Sequence, residues 1–529
     1  MRRRFFAPAA AASILLLLMP PPAAPVGQEP PAEGSSPSPF AFEESVDVRL
    51  VQVEARVLDR DGRPITGLGP ADFEVLEDGA PVELTFFEEV QPPPRPGRTA
   101  GLLRERAGED DPDGAPAAGT PGAPRHMIFY FDHTGLSVRS QKRALADVEE
   151  LLDRGQVPAE EVLLLSRNRG SLEVAAPFGS TREELRAVLG TLATERTWGG
   201  QAAREKRLMI ERFQTILQDE RLRSGDGDSP CQAMLARAFP VMRAHEIEVR
   251  DRNVAALVQL ERAAGLVAGL PGVKALVYIS DGLELAPGLD VMRYVERQCP
   301  GGQDLANPIG DPAGETLTPG TEPGADLFLA LTRRANAHRV TIYSLDAGGL
   351  RLGALAGGVE TGLVDQSAIN DFESANRSNL RDGLSALAER TGGRLLINRN
   401  RFTEHLEGVA EEMVRYYSLA YAPPHGGDGG EHRIRIRVPG LSGAEVRYRR
   451  TYRDKSAEER LADRLHSAAY LGYVSNPLGI RARAAVSADR SLMVRVTVPL
   501  ERLQFLPVEG TEEARVVLQA MVRDEAGRT

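Results

Sequence analysis

The sequence predicts an α/β domain with a doubly wound, mostly parallel sheet, flanked by small β-sandwich-like units. Three observations carry that prediction. Residues 127–131 (MIFYF) form a continuous apolar run, as expected of a strand buried on both faces of a parallel sheet. Similar runs recur at 162–165, 273–279, 340–345 and 394–397. Between them lie stretches of helical spacing, at 141–154, 181–192, 326–337, 379–390 and 402–416, so strand and helix alternate.

The remaining elements follow in chain order. Arg2, Arg3 and Arg4 precede an apolar stretch over residues 5–19, which Pro20, Pro21 and Pro22 break ahead of the small residues Ala23 and Ala24. Residues 1–24 therefore read as a signal peptide for export. The apolar stretch is shorter than the ~20 residues that span a bilayer, and no later segment is apolar enough to form a transmembrane helix. Residues 25–44 are rich in Pro, Ser and Glu and read as a disordered linker. Residues 45–90 form a small β domain. They alternate through 46–57 with a change of parity near Leu50 and Val51, carry strand patterns at 73–77 and 82–87, and place turn signals at Asp61-Gly62 and Asp78-Gly79. Residues 91–124 are a Pro/Gly-rich linker. The α/β domain runs over 125–422, with a helical insertion at about 195–270 and a Gly/Pro-rich surface loop over 299–324. A β extension (423–453), a helical spacer (454–475) and a C-terminal β domain (476–529) complete the division. The last of these lacks a returning strand and reads as incomplete.

Composition narrows the function. The chain of 529 residues carries 64 Lys+Arg against 75 Asp+Glu, a net charge of −11, which argues against nucleic acid as the main partner. Its two cysteines, Cys231 and Cys299, can form one disulfide or stand as two buried thiols. No GxSxG elbow, P-loop or HExxH pair is present, since His245-Glu246 lacks the second histidine. A non-enzyme is expected. Arg433, Arg435 and Arg437, with Arg447, Arg449 and Arg450, make two basic strand faces that read as solvated edge charge.

Asp132 ends the first apolar strand, in the run Asp132-His133-Thr134-Gly135-Leu136-Ser137, and Asp281 follows the strand over 273–280. Open α/β sheets bind ligands outside the carboxyl ends of their strands, where strand order reverses. Two carboxylates with neighbouring hydroxyls suit a hard cation such as Mg2+, Mn2+ or Ca2+. For Asp281 taken alone, a capping or turn role carries equal weight.

The segment 127–137, the Ser280-Asp281-Gly282 turn and the β/α alternation resemble a von Willebrand factor type A domain. More narrowly, the chain resembles the bacterial VWFA-related exported proteins. That resemblance also rests on residues 46–53 (VDVRLVQV), 67–79 (GLGPADFEVLEDG), 342–349 (IYSLDAGG), 387–394 (LAERTGGR), 416–423 (YYSLAYAP) and 433–452. It implies a Rossmann-like fold and a metal-ion-dependent adhesion site built from an Asp-x-Ser-x-Ser motif, a downstream Thr and a later Asp. Asp132 then takes the first position and Thr134 stands for the first Ser. Leu136 occupies the second Ser position and cannot ligate, Ser137 follows one residue late, Thr197 (with Thr194 as its rival) is the downstream Thr, and Asp281 is the later Asp. The resemblance thus implies an exported protein-binding or adhesion-type module with a degenerate Mg2+ or Ca2+ site. Its protein partner, of unknown identity, would complete the coordination with an acidic side chain. A structural spacer of the cell envelope and a metal-dependent hydrolase are the alternatives.

Overall fold

The computed structural model describes residues 50–60, 62–91, 124–168, 171–224, 228–298, 325–349, 366–397, 401–425, 428–472, 479–486, 492–503, 505–508 and 511–514. The expected signal peptide (1–24), the two expected linkers apart from residues 91 and 124, the expected loop over 299–324 and the last fifteen residues lie outside them.

The chain opens with β1 (Val51–Leu58), β2 (Glu74–Glu77), β3 (Ala80–Pro81) and β4 (Phe86–Val90). The α/β portion follows with β5 (Arg125–Asp132), α1 (Val138–Asp153), β6 (Val162–Asn168), β7 (Ser171–Ala176), α2 (Arg182–Leu192), α3 (Gly199–Ser224) and α4 (Asp228–Leu266). It continues through β8 (Val273–Ser280), α5 (Leu289–Gln298), α6 (Ala325–Ala337), β9 (Val340–Asp346), α7 (Gln366–Arg390), β10 (Leu395–Ile397) and α8 (Thr403–Glu412). The chain then returns to β structure with β11 (Tyr416–Tyr421), β12 (Glu431–Arg437), β13 (Glu445–Arg447) and β14 (Thr451–Arg453), before α9 (Ala457–Leu471). Two antiparallel pairs follow, at Arg481–Val486 with Leu492–Thr497 and at Leu506–Val508 with Thr511–Glu513.

The central sheet has the order β10-β9-β8-β5-β6-β7. All of its pairs are parallel except β6–β7. Side chains alternate across it with the period of two that a pleated strand imposes. Met127, Phe129 and Phe131 pack with α1, α2 and α8 on one face, and Ile128 and Tyr130 pack with α4, α6 and α7 on the other. Both faces are covered, which is why β5, β6 and β8 read as unbroken apolar runs. From β5 the chain moves outward to β6 and β7, then crosses back to β8 on the other side. Strand order therefore reverses between β5 and β8.

The division of the β structure differs from the sequence-based one. β11, assigned to the α/β domain, pairs with β1 and β4, and β12 pairs with β2. Two four-stranded sheets, β13-β1-β11-β4 and β14-β12-β2-β3, enclose one core containing Val53, Val57, Val75, Leu419, Ile434 and Tyr448. The small β domain and the β extension are thus two halves of a single sandwich, and the α/β domain is inserted between β4 and β11. The sandwich is tied to that domain by buried charge. Glu412 at the end of α8 accepts from Arg447 of β13 (3.2 Å) and from Arg394 (2.9 Å) and Tyr343 (2.9 Å) of the α/β domain. Arg449 donates to the Asn336 carbonyl (3.1 Å), and Arg339 reaches Glu54 of β1 (2.6 Å). Arg447 and Arg449 are therefore buried junction residues and not solvated edge charge, whereas Arg433, Arg435 and Arg437 do face solvent.

The helical insertion consists of α3 and α4, which pack with α5 and the first half of α7 around Ile210, Phe213, Met234, Tyr294 and Phe372. Beside this core Lys206 is buried and donates to Glu284 (2.7 Å), Asp290 (2.7 Å) and Asn376 (3.1 Å), linking α3 to the loop after β8 and to α7. Cys231 on α4 is in a disulfide; the chain's one other cysteine, Cys299, lies outside the described residues. The helical spacer is a packed element: Ser467 of α9 accepts from the Gly269 amide (2.9 Å), and Leu471 joins the α4–α7 side of the core.

Candidate functional site

The crevice between the carboxyl ends of β5 and β8 holds the residues singled out in the sequence. Strand geometry alone brings Asp132 and Ser280 to matching ends of neighbouring parallel strands, with Asp281 one residue on. Gly135 lets the connecting loop pass close to β8: a Cβ there would press on the Ser280 hydroxyl and force that side chain to move. Asp132 is 2% exposed and Asp281 8%.

The chemistry differs from an open cation site. In the register of β5 and β6, Asp132 lies opposite Arg167. The Arg167 guanidinium donates to both Asp132 carboxylate oxygens, at 2.8 and 3.0 Å, and to the Thr134 hydroxyl at 2.6 Å. Thr134 in turn donates its hydroxyl (2.6 Å) and its backbone amide (3.1 Å) to Asp132 Oδ1, and the Tyr278 hydroxyl donates to Oδ2 (2.7 Å). Burial works against the charge on Arg167, but Asp132 beside it holds its pKa above the usual value. Burial and the Asp132 charge together push the Tyr278 phenol far up, so it remains a donor. A fixed monovalent cation thus stands where the divalent one was expected.

The other expected ligands are also used elsewhere. The Ser137 hydroxyl caps α1, accepting from the Ser140 amide and sharing a 2.8 Å hydrogen bond with the Ser140 hydroxyl. Asp281 Oδ2 accepts the Ser137 amide at 3.0 Å, placing a carboxylate at the positive end of α1. That is the capping role which the sequence left open for Asp281. Leu136 is fully buried in the core beneath α1. Thr197 is half-buried in the loop before α3, and among the described residues no hydrogen bond joins its side chain to Asp132, Thr134, Ser137 or Asp281. Thr194 is exposed and caps its own turn, donating to the Thr191 carbonyl (2.7 Å). The five residues expected to hold Mg2+ or Ca2+ therefore do not fit that ion: Asp132 and Thr134 bind Arg167, Ser137 and Asp281 fix the head of α1, and Thr197 stands apart.

A buried network locks the same loop. Gln141 Nε2 bonds the His133 ring (3.0 Å) and the carbonyls of Leu192 (2.9 Å) and Glu195 (3.0 Å). Burial pushes the His133 imidazole below its usual pKa, against the pull of Glu195 and Asp132. The insertion then covers the loop. The amides of Trp198 and Gly199 donate to the carbonyls of His133 (3.0 Å) and Leu136 (2.9 Å), and a Cβ on Gly199 would meet Gly135.

Sequence reading missed Arg167 and a second group altogether. On the sandwich, Glu77, His425 and His432 place ligand atoms within 4.8 Å of one another, as do His425, Asp428 and Asp454. Glu77 ends β2, His432 lies on β12, and His425 and Asp428 flank the turn between β11 and β12. The imidazole rings stack, with centroids 3.7 Å apart and planes 14° apart. His432 Nδ1 lies 2.8 Å from Asp78 Oδ2 and its Nε2 3.2 Å from Asp428 Oδ1. Burial opposes the charge on His432, but these two carboxylates raise its pKa. The sequence signal was the spacing His425-x2-Asp428-x3-His432, whose other members are about 350 residues away or beyond the next two strands.

Comparisons with known proteins add nothing to this geometry: no family model, no curated protein and no solved structure matches the chain.

Proposed function

We propose that the chain is an exported, non-catalytic protein-binding module of the von Willebrand factor type A kind, whose carboxyl-end loops contact a partner without a bridging cation. The observation that supports this reading is the Asp132–Arg167 pair. An internal guanidinium supplies the positive charge that a bound ion supplies in an adhesion site, so the loop from Asp132 to Ser137 holds its shape unaided. At the rim of that loop Val138 is 58% exposed, with the exposed Arg139 beside it. An apolar contact flanked by a cation suits a protein surface, and the net charge of −11 disfavours nucleic acid.

The test is chemical cross-linking of the full chain to envelope proteins, in Mg2+ and in EDTA, with Val138→Asp as the comparison. The reading expects one partner captured equally under both conditions and lost in Val138→Asp. Capture that requires Mg2+ overturns the cation-independent contact. A second reading, a structural spacer of the envelope, is favoured by the cover that Trp198 and Gly199 place over the loop. Absence of any captured partner supports it.

A further inference from the structure

The second ligand group lies far from the Asp132 crevice in sequence and uses different chemistry, and nothing in the reading above employs it. Its two triads are not equivalent. In the first, His425 Nε2 lies 2.6 Å from Glu77 Oε1, a hydrogen-bond distance. Two ligands on one tetrahedral ion with bonds of ~2.1 Å lie about 3.4 Å apart. Nor can both rings serve a single ion. An imidazole donates its lone pair in the ring plane, and two rings stacked 3.7 Å apart at 14° aim their lone pairs along parallel lines that do not meet.

The second triad satisfies both conditions. Because Glu77 Oε1 takes the Nε2 hydrogen, the Nδ1 lone pair of His425 is directed away from Glu77. It faces Asp454 Oδ2 at 3.4 Å and Asp428 Oδ1 at 3.9 Å, which are spacings between ligands and not hydrogen-bond contacts. Among the described residues His425 Nδ1 has no hydrogen-bond partner, although it is buried. Glu77 is 3% exposed and is itself held by the Tyr452 hydroxyl, which donates to Oε1 at 2.9 Å. A buried carboxylate on the far nitrogen of a histidine fixes its tautomer and ring orientation, the arrangement found behind metal-bound imidazoles. Asp428 Oδ1, the oxygen that faces His425, is held in place by the Gly430 amide, which donates to it at 2.7 Å, and by His432 Nε2 at 3.2 Å.

We propose that His425 Nδ1, Asp428 and Asp454 bind a divalent transition ion of the Zn2+ class, with Glu77 as the positioning residue behind His425 and a solvent molecule in the fourth place. The imidazole nitrogen selects against Mg2+ and Ca2+, which take oxygen ligands. The site pins the turn between β11 and β12 to the segment after β14, closing one end of the sandwich. It is independent of the partner-binding reading.

Isothermal titration of Zn2+ into the EDTA-treated full chain tests the proposal, with Co2+ absorption as a second readout of ligand geometry. One Zn2+ per chain is expected, with tetrahedral Co2+ bands. His425→Ala and Asp454→Asn should abolish both signals. Glu77→Gln should retain the stoichiometry and weaken affinity about 10–100-fold. Asp428→Asn, at an exposed residue, should also weaken binding, and circular dichroism of every variant checks that it folds. Absence of Zn2+ binding by the wild-type chain overturns the proposal, as does an unchanged affinity in folded His425→Ala or Asp428→Asn.

Discussion

Replacing Arg167 by Met isolates what the internal cation does. The substitution keeps an unbranched stem in β6 and deletes the guanidinium that donates to Asp132 at 2.8 and 3.0 Å. Unit charges ~4 Å apart at an effective dielectric of ~20 attract by about 4 kcal/mol, and breaking a buried pair from one side costs about 3–5 kcal/mol. Asp132 would keep Tyr278 at 2.7 Å and Thr134 at 2.6 Å as donors. The lower end of that range, about 3 kcal/mol at neutral pH, is therefore expected. Urea unfolding followed by fluorescence gives a local reading, because the chain's one tryptophan is Trp198, whose amide donates to the carbonyl of His133 beside Asp132. The double variant Asp132→Asn/Arg167→Met should recover much of the loss, since no uncompensated charge remains. A loss under about 1 kcal/mol in the single variant, or no recovery in the double, would refute the assignment of Arg167 as the counter-ion.

Two further outcomes concern pH. Burial raises the Glu54 carboxyl, but Arg339 and Arg449 outweigh it and hold the pKa at about 2. A depressed carboxylate stabilises the fold above its unfolded value of 4.5, and that contribution of about 3 kcal/mol is lost as pH falls from 4.5 towards 2. Glu54→Gln should flatten the acid limb of the stability curve, and an unchanged limb would remove Glu54 from the junction's charge balance. Burial pushes the Lys274 ammonium down from 10.5 to about 7, with Arg339 adding to the effect. Between those values the unfolded chain binds the proton and the folded chain does not, so stability should rise with pH by about 5 kcal/mol. Lys274→Met should abolish that rise and raise the melting temperature at pH 7; a slope matching the wild type would contradict it.

The parts legible in the sequence are those that leave a local trace. β5, β6 and β8 are buried on both faces whatever their neighbours, so their apolar runs identify them, and a carboxylate at the end of such a run marks the carboxyl edge of the sheet. β7 was missed because it is an edge strand with a half-exposed pattern. The first turns of α7 were missed because their apolar residues, Ile369 and Phe372, pack against the insertion and not against the sheet. Arg167 is visible in the sequence, but its meaning depends on the register that sets it opposite Asp132. The division into two β units failed for a related reason. Alternation reports that β1 and β11 are strands, and nothing local reports that Val53 pairs with Leu419.

That pairing has a consequence in time. Val51 and Tyr421 are partners across 370 positions of chain. At about 5–20 residues per second of synthesis, the first strand of the sandwich waits roughly 20–70 s for its neighbour to be made. During that interval Val53, Ala55 and Val57 have no sheet to join and constitute an adhesive edge. The inserted α/β domain has its own core and can consolidate meanwhile, carrying Arg339 and Glu412 into the places from which they later seize β1 and β13. The junction arginines and glutamates thus bear on the order of events as well as on the finished fold. Variants that slow the α/β domain should lengthen the exposure of β1 and reveal themselves as aggregation during synthesis, even where the completed protein is stable.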